Sequence, residues 1–450
     1  MLFPLMLCLA FLVSAFSINT SYKKEGLYST NFFFLLGAIV YFLAIPAELI
    51  LKGMDGYSIS SVFVVKADTI VYYKIYLMGV MAILGFTLGF SASGFTTRSP
   101  DILSKDIIKD KKIYYGLNLI ELSIFALWLA LILFIVVFFH KFLGEITISY
   151  TSSYKLQHDN PLPSFIIGII SLLTPIIAVF LVIKKKLFGV LLGILLFAAN
   201  ILMAIFIYKK GPAIASLLGV GYCYFYLMKN KKLALFLAIT GVCLFIFWVA
   251  NLFHGFFQIT LQTPEILLHE LWRNFQVTFI YIDPSGPMAV TVAAVKANAP
   301  LLWGKSYIDG LSLFVPRFLW ADRPLDIAEA FGKATMPNWQ PGQGMGFGPV
   351  AEAYINFGFW GSSITFVVFG LLWGWAWRAF RALTVRDDLH LHFDIIYRVM
   401  GFYMMIQFFR GFTLGTFKPL IMAMIPFACA IIGMKILLKI IQKKRKQIPS

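Results

Sequence analysis

The sequence predicts an all-α protein, a bundle of about eleven membrane-spanning helices with one large external loop, and three observations predict it. Of 450 residues, 60% are hydrophobic and 13% charged, with a mean hydropathy of +0.83. Soluble domains carry about a quarter charged residues, so this composition leaves too little polar surface to face water. The apolar residues fall into stretches long enough, at about 20 residues of helix, to cross a hydrocarbon core. The net charge of +17 is also segregated by loop. Secreted, disordered, disulfide-stapled and nucleic-acid-binding classes are excluded by the same numbers.

In chain order the expected spans are 2–19, 31–51, 70–94, 113–140, 163–183, 187–208, 212–228, 233–254, 350–377, 393–412 and 419–440. With the N-terminus periplasmic, the short basic clips Lys184–Lys186, Lys229 to Lys232 and Lys443–Lys446 become cytoplasmic, as the positive-inside rule requires. The first span follows no Lys or Arg and precedes Lys23 and Lys24, the reverse of a cleavable signal peptide. Cys8, Cys223, Cys243 and Cys429 lie in apolar stretches without paired spacing and read as core residues. The expected organisation is a bundle over 1–254, a loop over 255–349, helices over 350–440 and a basic cytoplasmic tail over 441–450.

None of the cytoplasmic loops could house a nucleotide-binding domain, so function is expected in the external loop. Within it, residues 265–281 have helical apolar spacing, with His269, Arg273 and Gln276 on one polar face, as in an interfacial helix. There is no Walker loop, nucleophile elbow, zinc motif or Asp-x-Asp pair, so chemistry here is expected to need no metal or other cofactor.

Cations are the main chemical resource. Arg317, Asp322 and Arg323 sit among apolar residues between Pro316 and Pro324, where guanidinium forks suit phosphate oxygens. Lys209 and Lys210 precede Pro212 at the start of an expected helix, whose dipole attracts anions. Arg410 closes the tenth span after two phenylalanines. Each also reads as a side chain snorkelling to lipid headgroups. For proton transfer the candidates are Glu352, at the start of the ninth span, and His254, at the end of the eighth; either also reads as structural. Trp320 and Tyr354 belong to a set of tryptophans and tyrosines that suits an interfacial belt or a sugar-stacking platform equally.

With these residues laid out, the chain resembles the bacterial O-antigen and capsule repeat-unit polymerases of the Wzy type. The resemblance lies in the topology and in GKSYIDGLSLFVPRFLWADRP followed by PVAEAYINFGFWG, over residues 304–361. Lys209-Lys210-Gly211 departs from the Gly-x-Arg that family members often carry at that turn. The resemblance implies a GT-C-class glycosyltransferase of the bacterial inner membrane, acting in lipopolysaccharide biosynthesis at the periplasmic face. It would move a growing glycan from undecaprenyl pyrophosphate to a new lipid-linked repeat unit. Lys210, Arg273, Arg317, Arg323 and Arg410 would hold the pyrophosphate. Glu352, His254 and Arg317 would serve catalysis, and Trp320, Asp322 and Tyr354 would contact substrate. The implied partners are lipid-linked oligosaccharides, membrane lipid and a chain-length-regulating co-polymerase, with no nucleic acid. A ligase or a flippase is the alternative.

Overall fold

Long apolar runs coil into helices, even where they carry internal glycines or, in Pro161–Ile183, Pro175, and every regular element among the described residues of the computed structural model is helical. The structure describes residues 2–25, 34–35, 37–51, 67–93, 119–141, 161–183, 191–193, 195–196, 285–298, 300–315, 320, 322–335, 346–384, 401, 404, 407–411 and 413–418. The elements are α1 (Leu2–Glu25), a π-helical turn (Ile39–Ala44) running into α2 (Ile45–Leu51), α3 (Thr69–Ala92), α4 (Leu119–Phe138), α5 (Pro161–Ile183), α6 (Ser285–Ala297), α7 (Lys305–Leu311), a 3₁₀ turn (Ser312–Phe314), α8 (Ile327–Thr335), α9 (Pro349–Phe357) and α10 (Gly361–Thr384).

Among the described residues all-α is what forms, and a bundle of eleven spans is not. Among the described residues two helices are long and apolar enough to cross a membrane, Thr69–Ala92 and Glu121–Phe138, and two-thirds of the first is buried within the protein. Three physical reasons separate this from the expectation. The apolar stretch at 31–51 changes helix type at Ile45, leaving a run of only Ile39–Leu51. The stretch at 350–377 breaks at Gly358, whose φ of 73° no continuing helix can adopt, so α9 and α10 are separate. The apolar cores of α1 and α5 contract to Pro4–Thr20 and Ile166–Leu181. The expected spans at 212–228, 233–254 and 419–440, the interfacial helix at 265–281 and most of 187–208 and 393–412 lie outside the described residues. The multi-pass placement in a bacterial inner membrane, with its periplasmic and cytoplasmic ends, falls with the eleven spans that defined it.

The chain divides into two compact units, one drawn from residues 1–100, 230–381 and 405–416, the other from 101–229, 382–404 and 417–450. In the first, α3 and α10 meet through glycines on both helices. A Cβ on Gly85 would lie 2.5 Å from the Ser363 carbonyl oxygen; one on Gly89 would collide with the Val367 carbonyl, and one on Gly370 with that of Phe86. The helix backbones touch there. Beside this seam Phe34 stacks on Phe86 with centroids 3.7 Å apart, and Phe42, Phe366, Phe408 and Phe409 extend the aromatic core. Ser17 and Thr87, joined at 2.7 Å, tie α1 to α3. A second core gathers Val290, Ile327, Ala328, Phe347 and Ala351 where α6, α8 and α9 converge. The other unit rests on α4 against α5 through Ile135, Ile166, Ile167 and Ile170, with the Trp128 indole donating to Thr174 at 2.9 Å.

Candidate functional site

Helix α9 starts well because Pro349 sits in its first turn, where a missing N–H costs nothing. Its one polar stripe, Glu352 and Asn356 four residues apart, faces inward, and both side chains are 0% exposed. Buried polar groups must find partners, and these do. Glu352 Oε1 accepts from the Ser306 hydroxyl at 3.0 Å; Oε2 accepts from the Thr413 N–H and hydroxyl, both at 2.7 Å. Asn356 Nδ2 donates to Ser306 Oγ at 2.6 Å, and its Oδ1 accepts from the backbone N–H groups of Gly304 and Ser306 at 3.0 and 3.4 Å.

That last pair is a helix cap supplied from another helix. Gly304, with φ 87°, offers α7 no side-chain cap, so Asn356 supplies the missing acceptor. The service is returned: Leu302 and Trp303 donate their N–H groups at 3.0 Å to the carbonyls of Ile355 and Asn356, the open end of α9. Trp303 holds φ 50°, a region costly for a bulky residue, with its side chain 76% exposed.

The Tyr307 ring stacks on Phe357, and its hydroxyl lies against those of Thr365 and Thr413, within the field of the Glu352 carboxylate. Neither the Tyr307 hydroxyl nor that of Thr365 makes a hydrogen bond of proper geometry, though both oxygens are buried. Burial, then the Glu352 charge, pushes the Tyr307 phenol far above its usual range. Burial likewise raises the Glu352 carboxyl, against the opposing hydrogen bonds from Thr413 and Ser306, and Asp326 adds a smaller push in the same direction. Asp326 caps α8 by accepting from the Glu329 N–H at 2.8 Å and is itself raised, chiefly by burial.

Of the residues expected from sequence, Glu352 lies at the centre of this cluster. Arg323 is half-buried and its Nη1 donates to the carbonyl oxygens of Val315 at 2.9 Å and Leu313 at 3.3 Å, fastening the 3₁₀ turn. Arg410 is half-buried, three residues before Thr413. Asp322 is exposed, Trp320 is 45% exposed, and Tyr354 is half-buried on α9, its phenol raised by burial. Lys210, His254, Arg273 and Arg317 lie outside the described residues. Ser306, Asn356, Thr365 and Thr413 carry no weight as acids, bases or ligands in the sequence, and Tyr307 enters there only as one of the aromatic residues that suit an interfacial belt or a sugar-stacking platform. The spacing of Asn356 one turn beyond Glu352 is the signal that could have found one of them. Among the described residues no three His, Cys, Asp or Glu side chains gather in a way that could hold a metal ion.

No family model, no curated protein and no solved structure matches the chain. The resemblance to Wzy-type repeat-unit polymerases is overturned: that architecture needs a polytopic bundle, and two candidate spans stand among the described residues where about eleven were expected along the chain. With the bundle go the readings built on it, the GT-C-class integral-membrane polymerase of lipid-linked glycans and its ligase and flippase alternatives.

Proposed function

We propose that the chain is an enzyme that transfers a group to or from a hydroxyl without a catalytic metal, and that Glu352 is its proton-transferring residue. The observation that supports this is a carboxyl wholly withdrawn from water and held by three donors, with its proton affinity raised by burial. A carboxylate so placed is a stronger base than one in water, and such shifts gather at sites of proton transfer. The Ser306 bond to Oε1 is the longest of the three. A substrate hydroxyl displaces that donor at least cost, and its proton then passes to Oε1.

The test is substrate-blind. Purified wild-type protein and Glu352→Gln are incubated with EDTA and a whole-cell extract that includes its lipid fraction, and consumed compounds are found by mass spectrometry. The expected result is one hydroxylated compound consumed by the wild type and spared by a Glu352→Gln protein of equal melting temperature. Equal consumption by both proteins, or consumption that EDTA abolishes, overturns the reading.

A further inference from the structure

Two features around Glu352 remain after its hydrogen bonds are counted. The first is charge. When ionised, the buried carboxyl faces three neutral donors, and among the described residues the charged side chain that acts on it, Asp326, is of the same sign. Three hydrogen bonds offset part of the cost of desolvating an anion but leave its charge in place. The second is a pair of hydroxyls. Thr365 is 7% exposed, Tyr307 brings its buried hydroxyl against it and against that of Thr413, and neither the Tyr307 nor the Thr365 oxygen makes a hydrogen bond of proper geometry. A buried hydroxyl without a partner costs about 1–3 kcal/mol and calls for an explanation.

One ligand answers both. We propose that Glu352, Thr413, Thr365 and Tyr307 together hold a single monovalent cation of the sodium class. The lone pairs are there. The two carboxylate oxygens offer about four acceptor positions, of which three are taken. The Thr413 hydroxyl spends its proton on Oε2 and keeps its lone pairs, and those of Thr365 and Tyr307 are uncommitted. An all-oxygen set suits a hard cation, and one carboxylate suits a single charge; calcium sites gather several carboxylates and six to eight oxygens. A water molecule would satisfy the hydroxyls and leave the charge. A proton on Glu352 would remove the charge and leave the hydroxyls. The inference shares Glu352 with the proposed acid–base role, for which a bound cation would keep the carboxyl ionised, but its test reads binding and not turnover.

The full chain is melted in sodium, potassium or choline chloride at one ionic strength and at a pH where Glu352 is ionised. A ligand bound only by the folded protein raises the melting temperature with its concentration. Wild type is expected to melt higher in sodium than in choline, with a saturable dependence on sodium. Thr365→Val, which keeps the volume, should weaken half-saturation at least tenfold, and Glu352→Gln should remove the difference between salts. If Glu352→Gln does not fold, Tyr307→Phe replaces it, with weakened half-saturation expected. Equal melting in sodium and choline overturns the proposal, as does an unchanged sodium response in Thr365→Val. A Thr365→Val effect on stability that is identical in both salts assigns the place to water and also overturns it. A sodium response without turnover would leave the cation site and remove the enzyme; turnover without a sodium response would do the reverse.

Discussion

At the scale of single residues, Asn356 makes more connections than any ionisable group near it. Its amide joins Ser306, the start of α7 and the Glu352 carbonyl at 2.8 Å, and no other side chain of that size offers two donors and two acceptor sites. Asn356→Ala should cost about 2–4 kcal/mol by chemical denaturation, because several buried partners lose their bonds at once. Asn356→Asp should cost at least as much, since it places a second carboxylate beside the first. Glu352 carries a pH signature. Its folded-state affinity for protons lies above that of the unfolded chain, so stability is greatest below the unfolded value and declines as pH rises through the raised one. Denaturation midpoints measured in choline buffers from pH 4 to pH 9 should therefore fall toward the alkaline end, and Glu352→Gln should flatten the fall.

At the scale of elements, the glycine contacts decide how closely α3 and α10 approach. Gly89→Ala must push against a backbone carbonyl rather than a flexible side chain, so about 1–3 kcal/mol of overpacking cost is expected as a lowered melting temperature. Gly358→Ala should cost about 1–3 kcal/mol through its backbone alone, because φ 73° with ψ −158° is a conformation essentially reserved for glycine. Both glycines explain what the sequence shows and what it hides. Hydropathy registers that residues 350–377 are apolar, and it is blind to the single backbone dihedral that divides them. Phenylalanine-rich stretches raise hydropathy whether they face lipid or, like Phe34, Phe86 and Phe409, stack on one another inside the protein. Helical character was legible at α1, α3, α4 and α5 because each carries a long apolar run. Glu352 was legible because a charge stands out in such a run. Ser306 and Thr413 were not: they are common residue types, 46 and 61 positions away, and only the folded chain brings them to the carboxylate.

At the scale of the whole molecule, each unit has its own interior and its own reporter. Trp128 belongs to the unit built on α4 and α5, and Glu352 to the other. Thr174→Val removes the acceptor of the Trp128 indole, at about 1 kcal/mol, while the hydroxyl it deletes otherwise bonds only back to its own helix at Ile170. Calorimetry should show that variant's loss in one transition, with the pH dependence that belongs to Glu352 unchanged. A loss spread equally over every transition would mean that the units melt as one.

The exchange of caps between α7 and α9 also bears on synthesis. A seven-residue helix is too short to persist alone in water, and the amide that completes its first turn lies 50 positions downstream of Ser306. A ribosome that has just delivered Ser306 has therefore made a segment that cannot yet settle. It must wait for Asn356, and the carboxylate beside it waits for Thr413 in turn. A translational pause placed between these points would lengthen the life of an unfinished core, and a chaperone that binds nascent apolar chain would find its client there.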